Sequence, residues 1–360
     1  MMKQIVGVLI GVGLALTGCS DQRSAPIPPT GSPATTTGLI PPGAPTEGVR
    51  PPADNLPPPA EPQNAPPPGP TPGRTVAVGT APEGVVVDAT TRTVAVAKRN
   101  PNELVLIDAD TGAITGRTPL PGFVRHLQLA APGGPVLVPV ESANALVRVD
   151  LPGGRAEPQV LTGTVPHDAA QAPNGYVFVA NEHGGTVTVL RGNDVLKVFT
   201  DSIQPAGMAP AGLSMGMLDV RKNDLTVYDA AALTIIGSTP AGAGPTHLVA
   251  DRHGRMIAAD TRGDAVRVFD PLPRPHEIAS VPQAGAPYGI AYDPVRDRLW
   301  VASSGTNEVV GYDMTEPTPR EVTRLPTVQN AYTLGVDAKT GRLFIAGTTA
   351  GVVQIVDPTA

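Results

Sequence analysis

The chain has 1 cysteine in 360 residues, which excludes an intrachain disulfide framework and a cysteine-ligated zinc cluster. Aromatic residues make up only 3%, with Trp300 the sole tryptophan, so a core has to be packed mainly from small and β-branched side chains. The net charge of −6 disfavours delocalised binding of nucleic acid, and the lysines and arginines form no polybasic patch for a membrane surface. No phosphate-cradling Gly-rich loop opens a helix, no Gly-x-Ser-x-Gly elbow occurs, and no helical His-Glu-x-x-His is present. What the sequence does hold in quantity is proline, 43 residues, and glycine, 40 residues.

The prolines concentrate before residue 74, and short apolar runs follow. Residues 287–313 read PYGIAYDPVRDRLWVASSGTNEVVGYD. Three runs, 288–292, 298–302 and 308–312, are separated by turn chemistry such as Asp293-Pro294 and Ser304-Gly305-Thr306-Asn307. One such unit cannot bury both faces of its sheet, so it has to recur. Asp313 follows Ser303 by ten positions, and the same offset links Lys98 to Asp108, Val140 to Asp150, Asp219 to Asp229, Asp260 to Asp270 and Gly347 to Asp357. In the remaining unit Asn181 leads to Arg191. The closing positions 108, 150, 191, 229, 270, 313 and 357 are 38 to 44 residues apart, the period of a four-stranded propeller blade. The last unit supplies only three strands, and the run Thr75-Val76-Ala77-Val78 has no other partner; it is expected to be the outermost strand of that last blade, closing the ring. The recurrent aspartates stand before turns such as Ala109-Asp110-Thr111-Gly112, which assigns them to capping the turn.

Residues 1–18 carry Lys3 and an apolar run over 5–16, too short to span a bilayer comfortably, and are read as a signal segment. The sequence Leu16-Thr17-Gly18-Cys19 resembles the lipobox of bacterial lipoproteins. The resemblance implies cleavage before Cys19, diacylglycerol (and commonly a palmitate-type third chain) on that residue, and lasting attachment to a membrane on its extracytoplasmic face. Residues 19–73 are then expected as the lipidated cysteine and a disordered, proline-rich tether that lifts the domain at 74–360 into the envelope.

Phe178-Val179-Ala180-Asn181, Trp300-Val301-Ala302-Ser303 and Phe344-Ile345-Ala346-Gly347, each before a Val-x-x-Asp-like strand end, resemble the YVTN repeats of seven-bladed β-propellers. A WD40 assignment fits less well, since no unit has the Gly-His and Trp-Asp signatures. Residues 205–219, rich in Gly, Ala and Met, depart furthest from the pattern. The expected fold is all-β: seven four-stranded antiparallel blades, the N-terminal strand closing the last. The resemblance implies a binding platform that hosts lactonases, lyases and non-enzymatic binders alike.

Aligned strand starts put Gly84, His126, Asp168, Gly207, His247, Gly289 and Thr333 on one ring at the channel mouth, with Glu83, Arg125, His167, Ala206, Thr246, Tyr288 and Tyr332 one residue earlier. Glu141, Glu182, His183, Asp260 and Arg262 belong to neighbouring loops. Ligand contact is therefore expected from Arg125, His126, His167, Glu182, His183, His247, Asp260, Arg262, Tyr288 and Tyr332. His126, His167, Asp168 and His247 are the candidates for catalysis; His126, Asp168 and His247 would suit a divalent metal, although no cofactor is required. His253 and His276 fall in turn-rich segments and are expected to face solvent. Three functions stay open: a monomeric envelope module binding a protein, peptide or glycan; a lyase- or lactonase-like enzyme at the mouth; and a structural scaffold.

Overall fold

The computed structural model describes residues 39–358; the signal segment, the lipobox with Cys19 and the chain as far as residue 38 lie outside the described residues. Seven sheets surround one channel. Their innermost strands are Pro82–Asp88, Gln128–Leu129, Pro166–Gln171, Pro205–Ala211, Pro245–Ala250, Pro287–Asp293 and Ala331–Val336, and each sheet continues outward as an antiparallel meander. The seventh blade takes its fourth strand from the start of the domain: Arg74–Ala77 pairs antiparallel with Val352–Val356, Thr75 opposite Gln354 and Val76 opposite Val353. The third blade gains a fifth strand, Thr46–Glu47, parallel to Asp194–Phe199.

The core lies between neighbouring sheets. Strand alternation sends one set of side chains to each face, so blade 1 meets blade 7 through Val94, Val96, Val105, Phe344 and Val353, and meets blade 2 through Leu104, Leu106, Val138 and Val147. Around blades 3 and 4 the packing differs from the small-residue core expected. Phe178, Phe199 and Tyr228 cluster with ring centroids 4.5 to 6.5 Å apart, and Met208, Met215 and Met217 fill the space around them. Flexible thioethers suit the irregular gaps beside three rings, which explains why the fourth unit departs from the repeat and still builds a blade.

The repeated aspartates cap turns. Asp108 accepts from the N–H groups of Asp110 and Thr111, Asp229 from Ala231, Asp270 from Leu272 and Asp313 from Thr315. Asp150 and Asp357 instead pair with Arg155 and Arg342. A second cap series follows the innermost strands, at Asp88, Asp251, Asp293 and Asp337.

Asp337 also receives a two-pronged bond from Arg92, at 2.7 and 2.8 Å, tying blade 7 to blade 1. Burial alone would raise its carboxyl, but Arg92, Thr340 and the Lys339 N–H outweigh burial and hold it below the usual value. The stabilisation is therefore complete above the unfolded carboxyl's pKa of about 3.9 and disappears as pH falls through the lower folded value. Thermal midpoints of the native chain and of Asp337→Asn should differ by a constant amount above about pH 5 and draw together only as pH falls from about 3.9 through the lower folded value.

Candidate functional site

The mouth is shaped by irregularities at the strand starts. Register shifts interrupt the first and second strands of a blade between Pro82 and Val85, Pro166 and Asp168, Pro205 and Met208, Pro245 and His247, Pro287 and Ile290, and Ala331 and Thr333. A bulge bends its strand and re-aims a side chain, and here the re-aimed residues are those of the mouth ring. The glycines of the ring allow adjacent inner strands to touch: a Cβ on Gly289 would stand 2.7 Å from the Tyr332 carbonyl oxygen, and one on Gly207 3.0 Å from that of Thr246.

Three histidines from separate blades meet there. His126 lies with its ring centroid 4.4 Å from those of both His167 and His247, and Tyr288 continues the series 4.3 Å beyond His247. His167 Nδ1 is 3.1 Å from Glu182 Oε2 and 3.3 Å from Glu141 Oε1, while Arg125 Nε approaches that same Glu141 oxygen at 3.3 Å. Gln204 Nε2 donates to the other oxygen of Glu182 at 2.8 Å. These neighbours divide identical side chains into unlike states. Burial works to lower His167, but Glu182 and Glu141 override it and hold the imidazole up to about 10. Burial, helped by the His167 cation, pushes His247 down to about 3, and burial with both neighbouring imidazoles pushes His126 well below its ordinary value. Glu182, against its own burial, is drawn down to about 2 by His167.

Other expected site residues have different work. Asp168 is buried, and burial raises it to about 6; its oxygens accept from Gln128 Nε2, the Met208 N–H and the Ala169 N–H, linking three blades below the histidines. Asp260 is fully buried and ties down the Ala243, Gly244 and Gly263 N–H groups and Arg267, so its carboxylate does not face a ligand. His183 is exposed. His276, on an outermost strand, and His253 are both exposed as expected, and His253 Nε2 also bonds to Asp297 at 2.7 Å.

Residues 39–73 are the largest departure from expectation. Rather than standing free over this span, the chain lies along the mouth face from blade 3 to blade 7. Prolines have no N–H but keep their carbonyls, and the propeller supplies the donors. Arg221 donates to the Leu56 carbonyl, Arg262 to Pro58, Gln329 to Ala65, Asn307 to Pro66 and Gln354 to Pro72, the last four at 2.7 to 2.9 Å. In return the Gln63 N–H donates to Ser304 Oγ and the Ala65 N–H to Asn330 Oδ1, while Tyr332 donates its hydroxyl to Asn64. A proline-rich chain is already extended, so less freedom is lost on docking. The strap carries Glu61 to the mouth, where burial raises its carboxyl and Arg125 opposes that rise. Amide exchange at Gln63 and Ala65 should be at least ~100-fold slower than in an unfolded peptide, by hydrogen-exchange mass spectrometry, and reach the unfolded rate only if this segment is a free tether.

Glu61, Gln128 and Gln204 had no repeat position or motif to mark them. Glu141 sits on the short 3-10 turn Glu141–Ala143, the single one among the described residues, and only its place after the second strand of blade 2 points to the mouth.

No protein-family model matches the chain, and no curated protein matches it. Among solved structures it is similar to hydrazine synthase of Kuenenia stuttgartiensis, at 14% identity and TM-score 0.68 over 77% of this chain and 95% of that one. It is also similar to virginiamycin B lyase from Staphylococcus aureus, at 16% identity and TM-score 0.63 over 79% and 98%, and to U3-55K, at 11% identity and TM-score 0.69 over 79% and 98%. Proteins so different in role share an architecture at these identities and nothing finer. The chain is a seven-bladed β-propeller.

Proposed function

We propose that the protein is an exported lipoprotein, anchored through Cys19 to the extracytoplasmic side of a membrane, whose channel mouth binds a small polar ligand such as a peptide or glycan fragment. The observation that carries this reading is the convergence of Arg125, His126, Glu141, His167, Glu182 and His247 on one end of the channel. A broad aromatic docking face for a protein has less support, because Tyr288 is buried and the Tyr332 hydroxyl is engaged by the strap. The anchor rests on the lipobox sequence. Its test is incorporation of a labelled fatty acid, present in the native chain and lost in Cys19→Ala.

For the mouth, the full chain with Cys19→Ser would be melted with a panel of short peptides and oligosaccharides. A ligand at 100 times its Kd stabilises the native state by about 2.7 kcal/mol, enough to raise the midpoint by several degrees. The reading requires such a rise to vanish in Arg125→Ala; shifts that survive that change, or none across the panel, would remove the mouth as the site.

The rival reading, a lyase- or lactonase-like enzyme, is supported by the ring centroids of His126 and His167 standing 4.4 Å apart, one ring neutral and the other protonated, an arrangement suited to paired base and acid. A lyase is among the proteins of similar fold. Chemical change in a bound ligand, absent with His126→Ala, would decide for it.

A further inference from the structure

Glu141, His167 and Glu182 bring three ligating atoms within 4.8 Å of one another in the wall of the mouth, all three residues buried. The metal candidates read from the ring alignment were His126, Asp168 and His247, but Asp168 is committed to Gln128 and Met208. The donor set the fold assembles is therefore a different one: one imidazole and two carboxylates, two of them from loops after second strands.

Two of its three separations fit a coordination sphere. Nδ1 of His167 is 3.1 Å from one carboxylate oxygen and 3.3 Å from the other. With bonds of about 2.1 Å to a central ion, those separations correspond to ligand–metal–ligand angles of about 95–104°, between octahedral and tetrahedral values. A second observation points the same way. Glu141 Oε1 and His167 Nδ1 face each other while buried, yet neither has a hydrogen-bond partner of acceptable geometry among the described residues. Two buried polar atoms left so are costly unless a further group satisfies them. The outer groups are also in place: Gln204 orients Glu182 from behind, and Arg125 lies against Glu141.

We propose that Glu141, His167 and Glu182 form a binding site for one divalent first-row transition ion, of the zinc or manganese kind, with its open coordination positions facing the channel mouth. Mixed imidazole and carboxylate donors favour such an ion over calcium or magnesium. The inference rests on the mouth being the functional end of the channel, and it is tested without any organic ligand, so its failure would leave the peptide and glycan experiment standing.

The test uses the full chain with Cys19→Ser, freed of metal by chelation and dialysis, then titrated calorimetrically with zinc chloride and separately with manganese chloride. One ion per chain is expected, with affinity reduced at least 100-fold by Glu182→Gln and by Glu141→Gln, and unchanged by His253→Ala on the opposite end of the channel. Absence of stoichiometric binding at 100 μM metal, or full affinity in both glutamine variants, would overturn the site. Because either variant can unfold, the native chain is also crystallised with zinc and its anomalous scattering mapped. A peak within bonding distance of all three residues supports the site, and a peak elsewhere alone contradicts it.

Discussion

A chain shortened to residues 79–360 is expected to melt far below the full chain, whereas one shortened only to 74–360 should keep most of its stability. The difference between them is five residues. Arg74–Ala77 is the outermost strand of blade 7, and Val78, 1% exposed, packs with Val94, Val96, Phe344 and Val353 between blades 7 and 1. Losing Val78 and the half-buried Val76 removes about 3 kcal/mol of apolar burial. The ladder bonds to residues 352–355 go with them, and Val352–Val356 becomes an open edge. The strap alone contributes less, since the ordering of each residue, at about 1–2 kcal/mol, offsets hydrogen bonds worth about 1 kcal/mol each. Circular dichroism melts of the three lengths check this. Equal midpoints for 74–360 and 79–360 would mean that the ring does not depend on the closing strand.

Phe199→Ala is expected to cost about 3–5 kcal/mol, the range for emptying a phenyl-sized volume from a packed core. Phe199 is fully buried, its ring centroid 4.5 Å from Tyr228 and 6.5 Å from Phe178, in a protein with only 5 phenylalanines. The methionines beside it can relax into part of the cavity, which favours the lower end of the range. Tyr228→Phe keeps the ring and removes only its hydroxyl bond to Asp201, so it should cost about 1 kcal/mol. Urea unfolding of both variants makes the comparison, and a loss below 1 kcal/mol for Phe199→Ala would show that this cluster is not the core of blades 3 and 4.

The blades were legible because a fixed ladder position repeats. Ser303 and Asp313 stand in adjacent strands whose register holds the ten-residue offset, and the same geometry sets it in all seven units, six of which end in aspartate. Closure was legible by elimination, since Val76 and its neighbours were the one strand-like run without a partner. The histidine ring was legible because His126 and His247 share an alignment position, with His167 one residue before it. Two things could not be read. The docking of residues 56–72 depends on donors from Arg221, Arg262, Asn307 and Gln354, four residues on separate blades whose sequence neighbourhoods say nothing of a common partner. Nor does spacing show that Asp168 turns toward Gln128 and Met208 while His167, next to it, turns to Glu141 and Glu182. That choice is made by the bulge between Pro166 and Asp168, a break in strand alternation that sequence periodicity cannot contain.

The central claim is that one end of the channel holds three imidazoles in unlike charge states around two buried carboxylates. Nitrogen-15 NMR of the histidine rings in the metal-free full chain with Cys19→Ser, at pH 7, tests it most directly. The account predicts one imidazolium, assigned to His167 by its loss in His167→Gln, beside two neutral rings at His126 and His247 that stay neutral down to pH 5. Three rings titrating together near the ordinary value of about 6.5 would contradict it, and would make the mouth a solvated rim.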